Sequence, residues 1–347
     1  MVINGLNNLF SLDISDGAIR LVKLEKRGKK IFIVSYAESG LEPNVISNGE
    51  VKNEETFIAQ VKKLLKNSQG KKIKGKNLIT VLPETKTFIQ IIKTPAANND
   101  EQLLDFIKQE IKNHIPLTFE EIYLDWQVLE KTKESFKILI GAAPRDIVDN
   151  YFRIIEKCGL TPHVFEIEAA AIIRSLLAKN DTQPKVIIDF GATRTGLIVC
   201  DHGMPEFTVS LPISGKEITA TITSTLQLDP AKAEKAKVVC GLDPQKCDGA
   251  LRKILLTTVN NLAKEIKKSI FYYQSNYNNQ ISEVILCGGG ANFSEIDKLL
   301  SEKLKLPVKI GNPLTNLSLN KKLSLNKNQA LSFTTAIGLA LRAFDKE

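Results

Sequence analysis

Residues 185–207 read KVIIDFGATRTGLIVCDHGMPEF. The apolar run Val186–Ile188 leads straight into Asp189, a short loop follows, and a second apolar run starts at Leu197. An apolar run bounded by turn residues is the pattern of a buried strand, so a carboxylate at its end needs a reason. A tight hairpin with Asp or Gly at its tip can aim several backbone N–H groups at one point and form an anion nest. Gly191 lets the backbone approach an anion without an intervening Cβ. The aspartate would repel a phosphate, but it can hold the hydration shell of Mg²⁺, an ion that keeps several waters and needs few carboxylates.

The same plan occurs earlier in the chain. LFSLDIS (9–15), the turn signal Asp16-Gly17, AIRLVKLEK (18–26) and KKIFIVSYAES (29–39) read as strand, turn, strand, strand. Asp13 and Asp189 hold the same place in the two copies, and PEFTVSLPI (205–213) supplies the third strand of the second. Internal duplication at domain scale follows, with two hairpins expected to grip a triphosphate from both sides. One such hairpin alone is ordinary turn chemistry. A third piece adds weight: ISEVILCGGGANFSEIDKLLSEKLKLPV (281–308) is a strand, three glycines and a helix. Gly288, Gly289 and Gly290 at that junction permit close approach of a flat ligand or a phosphate.

The 347 residues suffice for two lobes, and 43% hydrophobic with 25% charged residues is the composition of a soluble globular protein. The N-terminus lacks the basic region and cleavage site of a signal peptide, and no apolar run reaches the ~20 residues of a membrane span. A cytoplasmic location is expected. Cys158, Cys200, Cys240, Cys247 and Cys287 are odd in number and form no CxxC pair, so neither a disulfide framework nor a metal site is expected. His114, His163 and His202 read as structural or solvated. The net charge is +8, concentrated in VKKLLKNSQGKKIKGK (61–76) and NKKLSLNK (320–327). Both lack aromatics and any DNA-binding motif, so they read as a solvated lysine surface with no nucleic-acid partner, contact with an anionic membrane surface being the alternative.

Between the hairpins, EETFIAQVKKLLKNS (54–68) reads as a helix with Phe57, Ile58, Val61, Leu64 and Leu65 on one face, and NLITVLPE (77–84) as a buried strand. TFIQIIKTP, DEQLLDFIKQEIKNHIP, YLDWQVLE, FKILIGAAP and RDIVDNYFRIIEKCGL then follow a β-α-β-β-α order, with Asp100 as N-cap and Pro116 closing the first helix. That order predicts a two-layer sandwich inserted into the first lobe. The expected division is 1–84, 162–183 and 329–347 for the first lobe, 85–161 for the insertion, and 184–328 for the second lobe. Residues 213–280 form the second lobe's outer, mostly helical part. The polar loop NDTQP (180–184) marks the lobe boundary.

Asp-hairpin, Asp-hairpin and strand-GGG-helix, in that order, resemble the first phosphate loop, second phosphate loop and adenosine loop of the actin-like ATPase superfamily. IEAAAIIRSLLA (167–178) is similar to its inter-lobe helix, and LAKEIKKSIFYYQ (262–274) to the helix flanking its adenine. The resemblance implies an α/β fold of two duplicated lobes with a central nucleotide cleft and a small inserted subdomain. ATP or ADP with Mg²⁺ is the implied ligand. Asp13, Ser15, Asp16, Gly17, Arg20, Asp189, Gly191, Ala192, Thr193 and Gly215 would serve the phosphates. Lys267, Lys268, Gly288, Gly289, Gly290 and Asn292 would serve the adenosine, and Asp13 and Asp189 would hold the metal through water.

Within that superfamily, residues 93–130, 138–172, 209–222 and 334–344 resemble the PilM family of type IV pilus assembly, the first including a helix ending in IP and the strand LDWQVL. This implies an ATP-binding scaffold that grips the short cytoplasmic N-terminal tail of a PilN-like membrane protein with the inserted subdomain and its junction. It would lie at the inner face of the cytoplasmic membrane without inserting, and other pilus assembly proteins are further expected partners. Nucleotide and tail would be coupled through differential affinity for two states. Ser15 and Arg20 depart from the family's usual glycine and lysine. No residue stands out to orient an attacking water, so slow or negligible hydrolysis is expected. Three rival readings remain. A kinase of the same superfamily would need a base, and the candidates Asp105, Asp125 and Asp146 fall on the insertion. An FtsA-like filament protein would carry a membrane helix after a linker, whereas this sequence ends at AFDKE after a core-like helix. A nucleotide-free scaffold would keep the fold alone.

Overall fold

The computed structural model describes residues 9–277, 279–320 and 323–345. Residues 1–8 and 346–347 of the expected first lobe, and Lys321 and Lys322 of the second basic stretch, lie outside the described residues. The chain divides into two compact units, Met1–Ala171 with Pro205–Phe207 and Leu339–Glu347, and Ile172–Met204 with Thr208–Gly338. The division falls at Ala171/Ile172, inside a helix, rather than in the polar loop 180–184. It leaves that helix's last turns and residues 329–338, about half of the expected 329–347, with the second unit. The apolar faces of both segments are packed, and a polar loop needs no domain boundary to be exposed.

In the first unit β1 (Phe10–Ile14), β2 (Ala18–Arg27) and β3 (Lys30–Gly40) form a meander. A two-residue turn joins β4 (Ile46–Ser47) to β5 (Glu50–Val51), with Asn48 at φ 50° and Gly49 at φ 75°. Positive φ at both central residues is what an Asn-Gly hairpin provides. Helix α1 (Glu54–Lys66) starts at the cap Asn53, whose side chain accepts from the Thr56 amide at 3.0 Å. It buries Phe57, Val61 and Leu64. With β6 (Gln69–Gly70), β7 (Asn77–Leu82) and a later strand, β11 (Thr161–Ile167), the sheet reads β11-β7-β1-β2-β3-β6.

The insertion comprises β8 (Phe88–Pro95), α2 (Asp100–Ile111), β9 (Ile122–Lys131), β10 (Ser135–Pro144) and α3 (Arg145–Lys157). Its three strands pair antiparallel in the order β8-β10-β9. Leu103, Ile107 and Ile111, at helical spacing on α2, close a core with Ile92, Ile122, Ile138 and Ile140. Two details differ from expectation. Asn99, not Asp100, caps α2, accepting from the Gln102 amide at 2.8 Å, and the helix ends at Ile111, ahead of Pro116. Helix α3 does not cover the inserted sheet. Its Ile147, Tyr151, Ile154 and Ile155 join Phe10, Leu12, Phe57 and Val61 in the core of the larger sheet. There the Tyr151 hydroxyl donates to the Gly49 carbonyl at 2.7 Å. The β-α-β-β-α order therefore yields a sheet covered by one helix, with the second helix serving the neighbouring core. Helix α4 (Glu168–Leu176) follows β11.

The second unit repeats the plan. β12 (Lys185–Phe190), β13 (Thr195–Asp201) and β14 (Met204–Leu211) form its meander. α5 (Gly215–Leu226), α6 (Pro230–Cys240) and α7 (Ala250–Tyr277) come next. β15 (Glu283–Cys287), α8 (Ile296–Leu304), β16 (Val308–Ile310), α9 (Lys327–Ser332) and α10 (Thr334–Leu341) complete the chain. The sheet order β14-β13-β12-β15-β16 mirrors β3-β2-β1-β7-β11. In both, the first strand pairs antiparallel with the second and parallel with a strand arriving after the helices. The duplication read from the hairpins thus extends to five strands in each unit. Among the described residues no helix is long and apolar enough to cross a membrane.

The cysteine expectation is corrected. Cys240, closing α6, and Cys247 are joined by a disulfide with their Cα atoms 5.8 Å apart. Gly241 at φ 55° turns the chain out of the helix, and Cys247 and Asp248 at φ 50° and 54° fold it back. A seven-residue spacing carries no pairing signal in sequence, because the reversal depends on these left-handed residues. Cys158, Cys200 and Cys287 are free and buried.

Candidate functional site

Asp189 is the penultimate residue of β12, as Asp13 is of β1. The turns that follow close alike. The Gly191 amide donates to the Arg194 carbonyl at 3.0 Å, and the Ser15 amide donates to the Ala18 carbonyl at 3.0 Å. Neither closing bond uses the amides of the two central residues. Among the described residues those of Ala192 and Thr193, and of Asp16 and Gly17, donate to no backbone group. Each is a donor pair of the kind a phosphate nest requires.

In the second unit two further segments meet the Asp189 turn. The amides of Gly215 and Lys216 donate to the carbonyls of Gly191 (3.0 Å) and Ala192 (2.9 Å), which seats the start of α5 on the turn. Ser214 caps that helix by accepting from the Glu217 amide at 3.2 Å. These amides are spent on the turn rather than on a ligand. A Cβ on Gly215 would meet the Gly191 carbonyl oxygen at 3.5 Å, an ordinary contact, so the close seating of α5 does not itself require glycine there. On the other side the Gly288 backbone, at φ 76°, passes the turn so closely that a Cβ would stand 2.4 Å from Asp189 Oδ1 and 2.7 Å from the Phe190 carbonyl oxygen. A Cβ on Gly290 would lie 2.5 Å from the Phe190 ring. Cys287, opposite Asp189 in the parallel ladder, directs its thiol at Asp189 Oδ1, 3.8 Å away. Gly289 meets only the Ser332 hydroxyl, at 3.6 Å from a built Cβ. The Asn292 side-chain amide donates to the carbonyls of Asn328 (3.1 Å) and Gly289 (3.4 Å), tying the glycine turn to α9.

Sequence reading missed α6. The Lys237 ammonium donates to the Gly215 carbonyl at 3.2 Å and to Thr219 Oγ1 at 2.9 Å, and pairs with Glu234 at 2.7 Å. Thr219 Oγ1 also donates to Glu234 at 2.6 Å. Burial alone would raise the Glu234 pKa, but the hydrogen bonds from Lys237 and Thr219 outweigh it and lower the value. A Glu and a Lys three apart on a helix is the only signal, and it is indistinguishable from a surface pair.

The other predicted residues are placed differently. Lys267 and Lys268 line a groove on α7 with Lys303, at the far end of α8, and Lys268 is paired with Glu265 at 2.7 Å. Lys303 lies about 10 Å along α8 from its first residue. None of the contacts of the glycine turn involves these lysines. In the first unit the Asp16 carboxylate accepts from the amides of Asn48 (3.1 Å) and Gly49 (3.0 Å), bracing the β4–β5 turn. Arg20 sits between two acids, 3.8 Å from Asp13 and 2.7 Å from Glu38. The Ser15 hydroxyl donates to the Ala18 carbonyl at 2.9 Å, so it closes its own turn. Asp125 and Asp146 accept from their own next amides, and Asp105 is exposed beside Lys108.

Among the described residues no group of three or more His, Cys, Asp or Glu could hold a metal. A cation at the Asp189 turn would rest on that carboxylate, its own waters and phosphate oxygens, and Mg²⁺ needs few protein carboxylates. The donor set fits that ion.

Two repeated sheets, each opening with an Asp-bearing hairpin, define an actin-like ATPase fold. Solved structures agree. The fold is similar to that of the PilM-PilN type IV pilus biogenesis complex (TM-score 0.83, 21% identity, covering 98% of this chain and 99% of that one). It is also similar to ethanolamine utilization protein EutJ from Carboxydothermus hydrogenoformans (0.56, 15%, 96% and 89%). MreB5 of Spiroplasma citri bound to ADP is a further match (0.53, 13%, 95% and 94%). Cell division protein FtsA of Borreliella burgdorferi is 24% identical over 289 residues, 75% of this chain and 66% of the relative. FtsA of Buchnera aphidicola is 24% identical over 226 residues, 56% and 52%. The chain thus spans two thirds or less of the length of these curated relatives. A model of the family described as type IV pilus assembly protein PilM matches residues 11–344. The chain belongs to that family and is an actin-like protein of type IV pilus assembly.

Proposed function

We propose that this chain is an ATP-binding scaffold that carries a PilN-like membrane protein on its inserted subdomain. The observation that carries the nucleotide half is the contact of the Asp189 turn with Gly288 and Gly290, where two built Cβ atoms would fall within 2.5 Å of Asp189 and Phe190. Backbone this bare beside a carboxylate and two amides that no backbone group takes suits a triphosphate with its cation. In this reading Ala192 and Thr193 donate to phosphate oxygens, Gly191 lets the turn close, Gly215 seats α5 on it, and Asp189 orients the waters of Mg²⁺. Asp13, with the amides of Asp16 and Gly17, serves as the first phosphate loop. Gly288–Gly290 approach the adenosine, and Lys237 holds α6 beside it. ATP and ADP are the candidate ligands, the bound ADP of the MreB5 relative being the analogy. Hydrolysis is slow, because the acids beside the first turn are already engaged, Asp16 by two amides and Glu38 by Arg20.

The partner half rests on the family and on the PilM-PilN complex as a relative. The tail is gripped by the inserted sheet and its junction with the first unit, and the chain sits at the inner face of the membrane through that partner. The test is retention of the full chain on an immobilised synthetic peptide of the N-terminal tail of the PilN-like protein from the same genome. Retention that responds to Mg²⁺ and a non-hydrolysable ATP analogue is expected. Equal retention on a scrambled tail removes the partner reading.

A further inference from the structure

The outer face of α7 carries lysines with little acidic company. The buried face of this helix takes Leu255, Val259, Leu262, Ile266, Ile270 and Tyr273 into the core. The opposite face, with Lys303 from α8, forms an open groove of about 590 Å³ lined by Asn260, Lys264, Lys267, Lys268 and Phe271. No acidic side chain lines it. Several lysines of other elements do have an acid at hand: Lys71 has Glu25, Lys86 has Glu50, Lys157 has Glu54 and Lys309 has Glu283. In the groove only Lys268 has an acidic partner among the described residues, Glu265. Lys264, Lys267 and Lys268 stand three and four apart, where like charges each cost roughly 0.2–0.5 kcal/mol. Among them Phe271 is 72% exposed, a large ring that gains free energy on leaving water.

We propose that this groove docks an acidic segment of a partner protein, with an apolar side chain of that segment against Phe271 and its carboxylates on Lys264, Lys267 and Lys303. Charge complementarity picks the sign of the occupant. The lysines stand on two helices, with Lys303 on α8 facing those of α7, so an extended acidic segment laid between them can reach both rows. Lysines without arginine forks, and with one aromatic ring, are a weak match for nucleic acid. The groove lies on other residues than the inserted sheet, so this docking is separate from the tail site proposed above.

The test is fluorescence anisotropy of a short labelled peptide of alternating Glu, Asp and Phe, titrated with the full chain, against the same peptide with Gln and Asn for the acids. The double charge reversal K264E with K303E leaves Lys267 and Lys268 in place, and F271A removes the ring. Binding of the acidic peptide alone, weakened at least ~10-fold by the double reversal and by raising salt from ~50 to ~300 mM, is expected. Thermal melts and Mg–ATP titration of each variant verify its fold. Equal binding by the double reversal overturns the proposal, as does no binding of the acidic peptide. Sedimentation with vesicles rich in phosphatidylglycerol is the second arm. Vesicle binding that the double reversal abolishes, without peptide binding, replaces the peptide by a lipid surface and overturns the proposal.

Discussion

Ser15 and Gly191 hold the same position in two separate turns, each donating its amide to the carbonyl three residues on at 3.0 Å. They differ in what a side chain meets. A Cβ on Gly191 would lie 2.8 Å from the Arg194 carbonyl oxygen, whereas Ser15 carries its Cβ and turns its hydroxyl to the Ala18 carbonyl at 2.9 Å. Gly191→Ala is therefore expected to lower stability by about 1–3 kcal/mol, a strain of the kind tight turns impose. Ser15→Gly should cost no more than the hydrogen bond, about 0.5–1.5 kcal/mol, plus a small backbone-entropy cost. Urea unfolding of both variants checks the order.

The inserted sheet has its own core, with Ile107 and Ile138 fully buried. Ile107→Ala or Ile138→Ala should cost about 2–5 kcal/mol from lost burial and the cavity left behind. The same variants should weaken tail-peptide retention while leaving the heat of Mg–ATP binding unchanged. Calorimetry and the tail pull-down on one preparation separate the two.

Glu54, at the start of α1, takes hydrogen bonds from Arg153 and Lys157 of α3. Arg153 first, then Lys157, hold its carboxyl down from 4.5 to about 2. A carboxylate with a depressed folded pKa stabilises fully above its unfolded pKa, and that contribution is lost as pH falls from about 4.5 toward 2. Glu54→Gln should lower the melting temperature at neutral pH, with the gap to the parent protein closing across that window. Because the pair is exposed, added salt should narrow the gap as well. Scanning calorimetry over the pH range reads both effects.

The Cys240–Cys247 bridge spans seven residues. Loop-closure entropy for so short a loop amounts to about 2–3 kcal/mol. Reduction, or Cys240→Ser, should lower the unfolding midpoint by that order and loosen the end of α6, which carries Lys237. Alkylation before and after reduction should label two additional thiols. Cys158 and Cys200 should react slowly, since burial pushes their thiols up to about 11 and about 12.

The fold was legible in the sequence wherever hydrophobic period and turn chemistry agreed. The two Asp hairpins, the glycine junction after β15 and the apolar stripe of α2 each act locally, so neighbouring residues suffice to read them. What depends on distant partners was not legible. Helix α3 carries the same kind of stripe as α2, and its sequence does not say which of two cores will take it. The Asp16 side chain could not be placed from sequence, because the Asn48–Gly49 turn supplies two amides to its carboxylate and leaves only its own amide for a phosphate. That turn was itself announced by the dipeptide Asn-Gly, but only the fold brings it to Asp16. Lys237 earns its place beside the Asp189 turn through the packing of α6 on α5, which no short-range pattern encodes. Lys267 and Lys268 were assigned to the adenosine by resemblance, and the structure sets them in the groove of α7 and α8.

The central claim is that the Asp189 turn, set against the glycine backbone of Gly288–Gly290, holds a metal-bound triphosphate. Isothermal titration of the full chain with a non-hydrolysable ATP analogue, with and without Mg²⁺, measures it most directly. The parent protein and Asp125→Ala should bind alike, and Asp189→Ala should lose at least about tenfold in affinity, some 1.4 kcal/mol, only when Mg²⁺ is present. Binding by Asp189→Ala that matches the parent in both conditions would contradict the account, as would a parent protein that takes up no analogue at all.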